Sequence, residues 1–152
     1  MSGSIIIVRH GRTEFNASGR LQGRTDNPLD VVGRAQADAV ASYLAPELLS
    51  DTLFVCSPLL RARQTAHAIA ERAGATVEID ERWIEIDYGA FEGLHQSEVP
   101  SDSWRQWRSD NDFAAPQGES LNQVHARVTD ACADLAQRLD GRTAVVLSLI
   151  HI

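Results

Sequence analysis

The sequence predicts an α/β protein, a three-layer αβα sandwich around a mostly parallel central sheet. Three observations predict it. Short apolar runs at Ile5–Val8, Leu53–Cys56 and Val145–Leu147 have the length and β-branched or aromatic content of buried strands. The stretches between them carry helical periodicity and helix caps. Strands that alternate with helices imply parallel crossovers, with helices on the sheet faces. At 152 residues the chain is the size of one domain, long enough to bury a core.

Taken in order, Ile5-Ile6-Ile7-Val8 is the first strand, and it stops at Arg9-His10-Gly11. Residues 30–44 follow as a helix, with Asp30 as N-cap and frequent alanine. Leu53-Phe54-Val55-Cys56 is the second strand, closed by Ser57-Pro58, where proline suits the first turn of a helix. That helix covers about residues 59–73 and ends at Gly74. Val77 and Ile79 mark a short strand. Residues 93–118 are mixed, with Trp104 and Trp107 at helical spacing. Ser120-x-x-Gln123 is a capping box. The helix it opens carries an apolar stripe of Leu121, Val124, Val128, Ala131, Cys132, Leu135 and Leu139, and ends at Gly141. Val145-Val146-Leu147 begins the last strand.

Composition narrows the function classes. A net charge of -7 argues against a general nucleic-acid or membrane-surface binder. A hydrophobic content of 43% argues against disorder. No apolar run reaches the length of a membrane span, and Met1–Ser4 is too short and polar for a signal peptide, so a cytoplasmic protein is expected. All 14 basic residues are arginine, so any phosphate recognition must run through guanidinium forks. Cys56 and Cys132 lack metal-ligand spacing and read as small core residues of a reducing compartment. Four residues separate Cys56 from Arg61, one fewer than a Cys-x5-Arg phosphatase loop needs. No Gly-Lys-Ser/Thr loop and no Asp/His metal cluster occurs, so no cofactor is expected.

The chemistry gathers at strand ends, where α/β sheets place their ligands. Arg9 offers a fork that fits phosphate oxygens, His10 is a possible phosphoryl acceptor, and Gly11 lets the backbone approach a ligand. Read alone, the same residues also fit a strand end with a surface ion pair. Arg61 follows the second strand and reaches the same end of the sheet, although by itself it fits an exposed helix position, as Arg63 and Arg72 do. Glu85, Asp87 and Glu92 are three acids able to protonate a leaving group, and their pattern does not separate them. His67 and His125 fit exposed or boundary helix positions, while His95 is open to a substrate-side role.

Five ordered segments resemble the histidine phosphatase superfamily, the phosphoglycerate-mutase-like enzymes. They are Arg9-His10-Gly11-x-Thr13-x-x-Asn16; Gly19-Arg20-Leu21-Gln22-Gly23 with Asp26-Asn27-Pro28-Leu29; Ser57-Pro58-Leu59-x-Arg61-Ala62-x-Gln64-Thr65-Ala66; Glu85-x-x-x-Gly89-x-x-Glu92-Gly93; and Gly118-Glu119-Ser120. The resemblance implies a phosphoglycerate-mutase-like fold over residues 1–152 as a single domain. It implies a histidine-acid-type phosphatase acting through a phosphohistidine on a small phosphorylated metabolite. His10 would be the nucleophile and Glu85 the proton donor. Arg9, Asn16 and Arg61 would hold the phosphate, and Gln22 and Gly23 would line the substrate side.

One departure stands out. The family places a second histidine in a Ser-His-Gly turn after a late strand, whereas this sequence has Ser148-Leu149-Ile150-His151-Ile152. His151 lies near the family position without the glycine turn, and the usual C-terminal segment is missing, so the fold is expected to be truncated there. Loss of that imidazolium would weaken catalysis while phosphate binding persists. The uncovered strand would expose apolar surface that a homodimer would hide. The alternatives to a hydrolase are a phosphoglycerate-type mutase and a catalytically impaired phosphate binder. Residues 93–118 are short for a mutase's substrate-enclosing insertion.

Overall fold

The computed structural model describes residues 3–148, and among these four strands form one parallel sheet in the order β1-β4-β2-β3. The strands are β1 (Ser4–Arg9), β2 (Leu53–Cys56), β3 (Val77–Ile79) and β4 (Thr143–Ser148). The last of them lies in the middle. Val8 and Phe54 sit on either side of it, opposite Leu147 and Val145. β3 pairs with β2 from Phe54↔Val77 to Cys56↔Ile79.

Period-two alternation sends these strands' side chains to two separate cores. Val8, Phe54, Cys56, Val145 and Leu147 face α2 (Val31–Leu44) and α3 (Leu60–Ala73). Val55, Ala144 and Val146 face α5 (Leu121–Leu139), against Ala131, Leu135 and Leu139. The result is the three-layer αβα arrangement. Ala37 and Ala41 of α2 and Ala62, Ala66 and Ala70 of α3 are all buried, and such small side chains let packed helices approach closely. Caps fix the helix ends. Asp30 Oδ1 accepts from Gly33 N at 2.7 Å, Gly74 closes α3 at φ 66°, and the Ser120–Gln123 box opens α5.

Three local expectations change. Pro58 precedes the α3 N-cap, Leu59, and so lies outside the first turn. Asp140, not Gly141, takes the left-handed C-cap position of α5, at φ 42°. Cys132 is exposed, because it sits at the edge of the α5 stripe and not over the sheet. Gly11 lines the depression beside His10 and also makes a close approach to a neighbouring backbone. A methyl group on Gly11 would lie 2.2 Å from the Gly33 carbonyl oxygen, and one on Gly33 would lie 2.0 Å from that of Arg12. The turn after β1 therefore rests on the first turn of α2.

Among the described residues β1 is an edge strand, and α5 does not reach over it. Ile5 and Ile7, on the same face as Ala144 and Val146, are 41% and 66% exposed. Among the described residues no helix is long and apolar enough to cross a membrane.

Candidate active site

His10 follows β1 directly, at the carboxyl end of the sheet, and is 6% exposed. Its Nδ1 hydrogen bonds to the Gly11 carbonyl oxygen. That partner only accepts, so Nδ1 carries the proton and Nε2 carries the ring's lone pair. The Gly11 N–H donates to Thr65 Oγ1 at 3.2 Å, and that hydroxyl donates to the Arg61 carbonyl at 2.9 Å. The turn carrying His10 is thus tied to the first turns of α3.

Thr13 orients two amides. It is the N-cap of the short helix α1 (Glu14–Ala17), and its hydroxyl lies 3.0 Å from Asn16 Oδ1 and 2.5 Å from Gln22 Oε1. The Thr13 N–H also donates to Asn16 Oδ1, at 3.1 Å. Both carbonyl ends are engaged, which leaves Asn16 and Gln22 presenting amino groups, donors suited to an anion.

Arg61 is fully buried at the head of α3. It donates to the Thr25 carbonyl at 2.8 Å and the Gly23 carbonyl at 2.6 Å, while its Nε–H is buried with no hydrogen-bond partner. Burial pulls its pKa down to about 10, against the attraction of Glu85, Asp26 and Glu92, so it remains a cation at neutral pH. A dehydrated cation with a donor to spare favours an incoming anion, since much of its desolvation has already occurred on folding. Gly23 holds its turn at φ 47°, and a side chain there would strike Glu92 Oε1 at 2.2 Å.

The three acids separate by their partners. Glu92 accepts from Arg24 N at 2.6 Å, Thr25 N at 2.9 Å and the Thr25 hydroxyl at 2.7 Å, so both its oxygens hold the 23–25 turn. Asp87 accepts from Gly89 N at 2.8 Å and faces Arg24 at 3.6 Å. Glu85 is 3% exposed, accepts from Ile86 N at 2.8 Å, and lines a cleft of about 500 Å³ with Arg9, Asn16, Gln22, Gly23 and Arg61. His10 lines an adjoining depression of about 410 Å³, and Arg9 and Asn16 border both.

A clamp that the sequence reading missed holds the Glu85 segment. Arg127 of α5 donates to the Arg82, Ile84 and Glu85 carbonyls at 2.7, 2.6 and 3.3 Å. It also grips both oxygens of Glu119, each at 2.8 Å. Arg24 reaches the same carboxylate at 3.2 Å. Burial opposes ionisation of Glu119, but the hydrogen bond and charge of Arg127, helped by Arg24, hold its carboxyl below the usual range. Arg127 was legible in principle, lying three residues after Val124 and four before Ala131 on the apolar face of α5. Phe15, Tyr88 and Trp104, which also line the cleft, carried no comparable signal.

His95 is exposed, and its ring caps a 3-10 turn by accepting from Ser97 N at 3.2 Å. His67, Arg63 and Arg72 are exposed, as expected. Cys56 is buried and burial pushes its thiol up to about 11, which removes it as a nucleophile near neutral pH. His151 lies outside the described residues.

The family model of the histidine phosphatase superfamily (branch 1) matches residues 5–151. The chain belongs to the histidine phosphatase superfamily. It is 34% identical over 149 residues to a probable phosphoglycerate mutase of an Enterobacter species, covering 95% of this chain and 68% of that protein. It is 36% identical over 134 residues to a glucosyl-3-phosphoglycerate phosphatase of Mycobacterium tuberculosis, covering 86% of this chain and 59% of that protein. The chain therefore spans about three fifths to two thirds of these relatives. Among solved structures, a mycobacterial glucosyl-3-phosphoglycerate phosphatase in complex with VO3 superposes with a TM-score of 0.84 at 33% identity, covering 95% of this chain and 75% of that one. Bacillus stearothermophilus YhfR superposes with a TM-score of 0.87 at 27% identity, covering 97% and 74%.

Proposed function

We propose that this histidine phosphatase superfamily chain is a phosphomonoester hydrolase working through a phosphohistidine at His10 on a small phosphorylated metabolite. His10 Nε2 attacks phosphorus. The N–P bond forms as the ester P–O bond breaks, and Glu85 gives its proton to the departing alkoxide. Water then attacks the phosphohistidine, Glu85 takes back a proton, and phosphate leaves with His10 restored. Arg9, Asn16 and Arg61 hold the phosphoryl oxygens, and Gln22 and Gly23 border the substrate side. The observation that carries this reading is Arg61, a buried cation that lines the cleft with Glu85 and Arg9 and whose Nε–H has no hydrogen-bond partner. The names of the mycobacterial and Enterobacter relatives support phosphoryl chemistry on phosphoglycerate-like compounds. The thiols Cys56 and Cys132, free of any disulfide, support a cytoplasmic setting.

Brief incubation with a phosphomonoester, followed by mapping of the acid-labile adduct, tests the reading. The adduct is expected on His10, and to disappear in His10→Ala. An adduct on another histidine, or one that survives the substitution, overturns it. Net release of inorganic phosphate without transfer to a second position separates hydrolase from mutase.

A further inference from the structure

A recess of about 160 Å³ adjoins the cleft and shares Glu85, Tyr88 and Trp104 with it. Its other walls are Ile86, Trp107 of α4 (Ser101–Ser109), and Leu121 and Val124 of α5. The aromatic walls are braced. Trp107 meets Tyr88, Phe91 and Phe113 edge-on at 5.7, 5.9 and 5.4 Å, and Trp104 at a tilt of 51° at 5.3 Å. Edge-to-face contacts of this kind favour fixed ring orientations, so the recess is a formed space between two helices.

We infer that this recess receives the leaving alcohol's aromatic ring, making the preferred substrates monoesters of aryl or arylmethyl alcohols. The inference rests on the hydrolase reading for one point, that Glu85 protonates the leaving oxygen. The group bonded to that oxygen must then sit beside Glu85, and Glu85 borders the recess. Size selects one ring, because an apolar cavity of ~150 Å³ is enough to hold benzene. Chemistry selects an arene over a sugar. Ile86, Leu121 and Val124 offer no side-chain hydrogen bond, and the Trp107 Nε1–H, buried with no partner, is a single donor beside the polar tips of Glu85 and Tyr88, so a pyranose would bury more hydroxyls than the walls can pair, whereas an arene buries only carbon and can take an indole N–H on its π face.

Benzyl phosphate, ethyl phosphate and glucose 6-phosphate test this, since all three esterify a primary alcohol and differ in what it carries. The expected kcat/KM for benzyl phosphate exceeds the other two by about 10- to 100-fold, the gain from withdrawing one ring from water. Leu121→Trp fills the recess and should bring the benzyl-to-ethyl ratio to within about threefold. Equal turnover of benzyl and ethyl phosphate overturns the recess assignment and leaves the hydrolase reading standing. Glucose 6-phosphate matching benzyl phosphate overturns the arene assignment. Absence of any turnover tells against the hydrolase reading alone, because calorimetric binding of phenethylphosphonate against propylphosphonate still measures the recess. Phenethylphosphonate is expected to bind at least about tenfold tighter. Equal affinities overturn the inference, even where Leu121→Trp fails to fold.

Discussion

Arg127 is the residue whose loss should most cleanly separate stability from chemistry. Its side chain is 17% exposed and donates to three backbone carbonyls and to both oxygens of Glu119. Arg127→Met keeps the bulk of the stem and removes every donor. The Glu119 carboxylate is then left mostly buried with Arg24, itself 37% exposed, as its remaining cation, beside a backbone hydrogen bond from Asp87. Breaking a buried pair from one side costs about 3–5 kcal/mol. That is a large part of the roughly 5–15 kcal/mol that holds a domain folded. Urea unfolding should show the loss as a lower midpoint with an unchanged slope. Arg127→Lys keeps the charge but cannot serve five acceptors from one ammonium, so its stability should fall in between. The catalytic consequence is more specific. The clamp grips the backbone on both sides of the Ile84–Glu85 peptide, so loosening it shifts the acid and not the phosphate site. A misplacement of about 1 Å costs on the order of 100-fold in rate. Arg127→Lys should therefore slow an alkyl phosphate by about 100-fold and nitrophenyl phosphate by less than tenfold, because only the former needs its leaving oxygen protonated. Equal losses on both esters, or a stability change below about 0.5 kcal/mol, would refute the reasoning.

Other consequences are open to direct measurement. Glu85→Gln should slow alkyl esters far more than nitrophenyl phosphate, and an equal effect on both would return the acid's role to Asp87 or Glu92. Glu119 is held below its ordinary pKa, so it contributes stability above the ordinary carboxylate value near ~4.3 and loses it as pH falls through the lowered one. Glu119→Gln should accordingly flatten the acid limb of the stability–pH curve, and an unchanged limb would contradict the clamp. Gly11→Ala forces a methyl group to within 2.2 Å of the Gly33 carbonyl oxygen, and thermal melting should show a loss of several degrees or failure to fold. Hydrolysis should survive exhaustive chelation, because guanidinium groups carry the positive charge. Restoration by magnesium after chelator inactivation would reverse that view.

How far the sequence could be read depended on whether an interaction was local. Helix caps at Asp30, Ser120 and Gly74 are settled within one turn of chain, and each lies where its residue type put it. The alternating faces of β2 and β4 follow from strand periodicity alone. Glu85, Asp87 and Glu92 could not be told apart by pattern, because Glu92's distinguishing partners, Arg24 and Thr25, lie 68 and 67 residues away. The contact of Gly11 with α2 was not legible for the same reason, since the backbone it approaches belongs to a later element. Cys132 misled the reading because its place in the α5 stripe is at the edge, where the way the helix rolls against the sheet decides exposure and spacing decides little. The Arg24–Glu119–Arg127 clamp joins three segments, and only Arg127's position on an apolar helix face hinted at it.

The strand order has a consequence for how the molecule comes together. β4 is the only described neighbour of β1, and the Ser4–Thr143 contact that marks one end of their ladder spans 139 residues of chain. The strand that delivers His10 is therefore synthesised long before the one that fixes it in place. Until residues 143–148 slot between β1 and β2, Ile5, Ile6 and Ile7 have no ladder to join. Closing so long a loop is slow, and an isoleucine-rich strand left waiting invites association with other chains. The position of His10 thus depends on the pairing of β4, and protection of the β1 amides from hydrogen exchange should appear together with that of β4, not ahead of it.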